Sequence, residues 1–85
     1  MNANTLFYCI SQGLNDKNVT MIELVGLQHS FSLNPKKIID IMTKQDCLWI
    51  TKQLSEQGID QLLINPDQIV YVKIRKEVSN EKNCR

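Results

Sequence analysis

The side chains with which this chain could do chemistry are few: three cysteines, one histidine and scattered carboxylates. Cys9, Cys47 and Cys84 lie too far apart, and His29 is too isolated, for the spacings that bind zinc, so no metal site is expected. An odd cysteine count at wide spacing also argues against a disulfide scaffold. Cys9 lies in an apolar segment and is expected in the core, and Cys47 opens a strand. Cys84 sits near Lys82 and Arg85, where a thiolate is favoured but an inert exposed thiol is the simpler expectation. Asp40, Asp46, Glu56, Asp60 and Asp67 show no spacing that would hold two carboxyls together in a cleft for acid–base work. Neither a phosphate-cradling glycine loop nor a nucleophile elbow occurs. The chain is therefore expected to be no enzyme and to need no cofactor.

Binding is the chemistry left. Tyr71, Lys73 and Arg75 recur every second residue, which on a strand places an aromatic and two cations in one stripe. Such a stripe could anchor a protein through Tyr and Arg, or stack on a base and meet phosphates. A solvated terminal strand would carry the same residues, with lysine blunting its edge. Trp49 falls opposite Leu48 and Ile50 in CLWIT and marks an interface wherever that face is not covered internally. These four residues are the candidate partner-binding set.

The elements that must position them follow from length and pattern. Eighty-five residues suffice for one modest core and leave a thin margin of stability. The net charge is +1, but residues 1–70 carry five basic and seven acidic groups, and residues 71–85 carry five and two. A single compact domain is expected over residues 1–76, with a flexible, frayed basic tail over 77–85. No signal peptide and no stretch approaching a membrane span are visible, so a cytoplasmic protein without membrane contact is expected.

Leu6–Ile10 reads as a strand or a short helical segment. Val19–Leu27 reads as a strand, with Gly26 at its end, at a bulge or at a tight approach. His29–Leu33 alternates, with Phe31 and Leu33 on one side, and His29 falls in a solvated turn before it. Cys47–Thr51 alternates likewise, whereas Lys52–Asp60 reads as a polar loop or short helical turn, followed by Gln61–Ile64 and Ile69–Lys76.

One internal echo ties the pattern together. FSLNPKKIIDIMT (31–43) superposes on LLINPDQIVYVKI (62–74) at an offset of thirty-one residues, matching Asn34-Pro35 with Asn65-Pro66. Asparagine can accept from the backbone ahead of it and proline fixes the next φ, so each Asn-Pro opens a turn or a helix. The crowding of β-branched residues in IVYVKI favours a turn followed by a strand. By analogy residues 36–44 are expected as a strand with Ile39 and Ile41 inward, although Asn34, Pro35, Ile38, Ile41 and Met42 also suit a helix. The expected fold is mostly β (α+β as the alternative), a small β-roll or SH3-like barrel of five to six short strands.

MIELVGLQHSFSLNPKKIIDI (21–41) resembles the opening of the small flagellar-operon proteins of the FlbD type. Ile22, Leu24, Leu27, Phe31, Leu33, Asn34, Ile38 and Ile41 occupy the matching places, while Gln28-His29 stands where that family carries Asn-Gly. The resemblance implies a small, nearly all-β accessory or regulatory protein with no catalytic residues. Together these readings favour a regulatory or accessory factor of the kind bacteria and their mobile elements encode. It is expected to bind a protein partner and to form a homo-oligomer. A nucleic-acid-binding regulator using the basic last strand and tail, and a structural component of a larger assembly, are the alternatives.

Overall fold

The computed structural model describes residues 1–78; Cys84 and most of the basic tail lie outside them. Among the described residues the protein is mostly β: six strands form two three-stranded antiparallel sheets beside one helix, without a closed barrel. In chain order these are α1 (Ala3–Leu14), β1 (Val19–Gly26), β2 (Ser30–Leu33), β3 (Ile38–Lys44), β4 (Cys47–Gln53), β5 (Ile59–Ile64) and β6 (Ile69–Lys76). The first sheet runs β2-β1-β6 and the second β3-β4-β5.

Of the two readings of Leu6–Ile10 the helical one is observed, and the helix runs over twelve residues, Ala3–Leu14. The Asn2 side chain accepts from the Thr5 N–H at 2.8 Å, satisfying one of the donors a helix start leaves free. Leu6, Ile10 and Gly13, spaced by four and three, form the buried face. That face leans on both sheets, touching β1, β3, β4 and β6. At Gly13 the approach is close enough that a Cβ would stand 2.9 Å from Ile22 Cδ1. Cys9, expected in the core, is only half-buried.

Both Asn-Pro sites fold alike. The Asn34 and Asn65 side chains each accept from the backbone N–H two residues on, at 3.0 Å, and each proline opens a three-residue 3-10 turn (Pro35–Lys37 and Pro66–Gln68). A strand follows each turn. The strand reading of 36–44 therefore holds from Ile38 onward, and Asn-Pro serves as a corner, because the strand before it and the strand after it belong to different sheets. The helix alternative fails because β3 pairs with β4 along most of its length.

The echo extends to the whole β structure. Ile22 pairs with Leu33 and Ile74, and twenty-six residues later Leu48 pairs with Ile64 and Thr43. Leu24 pairs with Phe31 and Val72, as Ile50 pairs with Leu62 and Ile41. The unit β1-β2-β3 is thus repeated as β4-β5-β6, in matching register, and the third strand of each unit completes the sheet of the other. Equivalent residues share the core: Ile22 with Leu48, Leu24 with Ile50, and Leu33 with Ile64 are all buried, joined by Leu6 and Ile10 of the helix. Burial of each such side chain contributes about 1.5–3 kcal/mol.

The alternation is interrupted at the same place in each copy, and once more between Val19 and Met21 in the β1–β6 pair. Ile38 pairs with Lys52 and Asp40 with Thr51, leaving Ile39 unpaired; Ile69 pairs with Gly26 and Tyr71 with Val25, leaving Val70 unpaired. These bulges turn Ile39 and Val70 outward, 55% and 54% exposed, so neither is the inward residue that alternation implies. Beyond the bulge Ile41 and Val72 do pack against the core. Phe31 remains 41% exposed on the edge strand although Leu33 is buried.

The turns differ between copies. Lys52 and Gln53 continue β4, and β5 starts at Ile59, so the polar loop expected over 52–60 shrinks to residues 54–58. Its counterpart between β1 and β2 is three residues long. There Gly26 N–H donates to the His29 carbonyl at 2.8 Å, and a Cβ on Gly26 would stand 2.5 Å from that oxygen and 3.0 Å from the Gln68 carbonyl oxygen. The β3–β4 connection is a two-residue hairpin with φ of 54° at Gln45 and 63° at Asp46, the left-handed pair that a type I′ turn requires.

Candidate functional site

Residues on one face of a strand recur at period two, and the register aligns them into rows across each sheet. On the first sheet the outward rows are Met21 with Arg75, then Ser32–Glu23–Lys73, then Ser30–Val25–Tyr71. On the second they are Cys47 with Lys44, then Leu63–Trp49–Met42, then Gln61–Thr51–Asp40. The inward residues of both sheets meet in one core, so these two faces point away from it.

The four candidate residues therefore separate into two places. Tyr71, Lys73 and Arg75 do share one outward stripe of β6, as their spacing implies, and all three are exposed. Glu23 lies directly opposite Lys73, so a carboxylate sits within the cationic stripe. That arrangement is unfavourable to a phosphate backbone, which needs an excess of uncompensated cations. Trp49 stands on the other sheet, centred between Met42 and Leu63.

The second face is apolar at its centre. Met42 and Leu63 are 45% and 57% exposed on either side of a half-buried tryptophan. The Lys44 ammonium lies 5.9 Å from the centre of the Trp49 ring, within cation–π range. The Trp49 Nε1–H is buried with no acceptor among the described residues. Leu63 also lines a neighbouring hollow of about 170 Å³ at the sheet edge, shared with Leu27, Phe31 and Ile69. Apolar surface thus continues from Met42 across the sheet into the hollow. Trp49 was recognisable from its local alternation, whereas Met42 and Leu63 were missed because only the register between strands places them beside it.

The other reactive groups stay apart. His29 is exposed between β1 and β2, and its carbonyl serves the turn. Cys9 and Cys47 are free thiols, both half-buried. Among the described residues no three of His, Cys, Asp and Glu are grouped to hold a metal ion, and no helix is long and apolar enough to cross a membrane. Asp16 accepts from the Asn18 N–H at 2.9 Å and pairs with Lys76 Nζ at 2.9 Å; the backbone hydrogen bond first, then the lysine, holds its carboxyl below the ordinary value. Comparison with family models, with curated proteins and with solved structures finds no match to this chain.

Proposed function

We propose that the protein is a non-catalytic accessory or regulatory factor that works by binding a protein partner, its own copy or a different chain, through the outer face of its second sheet. One observation carries this reading: the row Leu63–Trp49–Met42 occupies the register position that Ser32–Glu23–Lys73 fills on the first sheet. The same fold thus tolerates a polar row there, so the apolar one is not needed to complete the sheet. Tryptophan and methionine are enriched where proteins meet, and a central aromatic within an apolar patch is the usual anchor. The FlbD-like segment 21–41 spans β1 to β3, and the accessory role it implies agrees in kind.

A photo-crosslinking amino acid installed at position 63, compared with one at position 32, tests the reading in the cells that make the protein. Discrete adducts are expected from position 63, absent from position 32 and lost on Trp49→Ala. Equal labelling from both faces, or none from position 63, overturns it.

A further inference from the structure

We infer that the occupant of this face is a second copy of the chain, docked about a two-fold axis that runs along the Met42–Trp49–Leu63 row. The inference rests on the binding role of that face and names its partner. Its ground is the order of residues on β3, where Asp40, Met42 and Lys44 point outward in succession, an aspartate two residues to one side of the row and a lysine two residues to the other, whose ammonium must swing away from the Trp49 ring to meet a partner. An isologous contact demands that a surface complement itself. Rotation by 180° about the row leaves each row residue facing its own copy and exchanges the two flanks. Lys44 then faces Asp40 of the other copy, and Asp40 faces its Lys44, so both charges are met twice per dimer. A foreign partner would require no such antisymmetry.

The contact stacks one three-stranded sheet on another, as sheets pack in sandwiches. Trp49 meets its own copy at the centre, and the charged pairs lie at the rim. Three strands of about six residues, at about 4.8 Å spacing and 3.3 Å rise, give a footprint of roughly 15 by 20 Å. That is small beside the ~800 Å² per partner of a standard interface, so a weak, concentration-dependent association is expected.

Trp49 is the single tryptophan of the chain, so its emission reports this contact directly. Sedimentation and Trp49 emission of the full chain are to be followed together from nanomolar to high micromolar concentration. The expected result is a monomer–dimer transition accompanied by a change in emission. Lys44→Asp alone and Asp40→Lys alone each place like charges in register and are expected to weaken association at least about tenfold. An equimolar mixture of the two variants restores both pairs, so a heterodimer is expected where neither variant associates alone. Circular dichroism of each variant establishes that it is folded, and Glu23→Lys on the opposite face is expected to leave association unchanged. A monomer with constant emission over the whole range overturns the inference, as does a dimer that the mixture fails to rescue. In either case discrete adducts from position 63 to a different protein would leave the protein-binding role standing.

Discussion

The two sheets share a register and differ in what they expose. Where the first sheet shows solvent Ser32, Glu23 and Lys73, the second shows Leu63, Trp49 and Met42. The inward positions behave differently: Ile22 and Leu48 are both sealed, and so are Leu24 and Ile50. Interior positions are held alike because each copy must fill the same shared core, whereas exterior positions are free to diverge. The neighbouring outward row diverges in the opposite sense, Ser30–Val25–Tyr71 against Gln61–Thr51–Asp40, so the apolar centre of the second face lies in the Leu63–Trp49–Met42 row alone.

The strongest test of this comparison is on the inward side. Ile22→Ala and Leu48→Ala remove equivalent, fully buried side chains, and each is expected to cost about 2–5 kcal/mol in urea unfolding. Ile22 also packs against Gly13 of the helix, so its loss is expected to be the greater. An Ile22→Ala cheaper than Leu48→Ala would show that the helix contact at Gly13 adds nothing to the core.

A second test exploits the unequal turns. Gly26 and Lys52 are equivalent, pairing with Ile69 and Ile38 respectively. Gly26→Ala forces a methyl against two backbone carbonyls and is expected to cost about 2–3 kcal/mol, while Lys52→Ala should stay within about 0.5 kcal/mol. Lengthening the β1–β2 turn by two residues in the Gly26→Ala variant should recover part of the loss. Equal costs at the two positions would show that turn length is not what demands the glycine.

The smallest expected effect concerns the ends of the sheets. At the end of the second sheet the hairpin Gln45-Asp46 links β3 to β4 covalently. At the matching place on the first sheet, β6 and β1 are held by Asp16 with Lys76 and by the Glu77 N–H donating to the Asn18 carbonyl. The Asp16 carboxyl titrates below its unfolded value, so its stabilisation is full above about pH 4 and is lost as pH falls through the lowered folded value. Amide exchange at Val19 and Glu77, corrected for its intrinsic pH dependence, should accelerate below that point before exchange at Lys44 and Cys47 does. Simultaneous loosening of both ends would remove this distinction.

Much of this architecture was legible in the residues, and the remainder was hidden for identifiable reasons. The Asn-Pro echo, the strand after each corner and the inward pair Leu48 and Ile50 follow from local chemistry and alternation. The relation of β1 to β4 does not, because MIELVG and CLWITK share only a hydrophobic rhythm and the longer second turn changes the offset. Phe7, Tyr8, Cys9 and Ile10 blurred the helix, whose signal is the Asn2 cap and the Leu6–Ile10–Gly13 spacing. The bulges at Ile39 and Val70 leave no local mark, since one unpaired residue inverts the side of its neighbours without altering composition. The site was legible only at Trp49, because a row across three strands is a nonlocal object.

The exchange of third strands between the copies bears on cooperativity. In linear arrays each repeat rests on its neighbours alone, and truncation removes one unit at a time. Here residues 19–44 supply two strands of one sheet and an edge of the other, and residues 47–76 do the converse. A fragment ending in the β4–β5 turn would leave both sheets incomplete: the first without β6, the second without β5. Partial unfolding therefore has no stopping point at the boundary between copies, and a single proteolytic nick near residues 54–58 followed by separation of the pieces should unravel the whole β structure in one step.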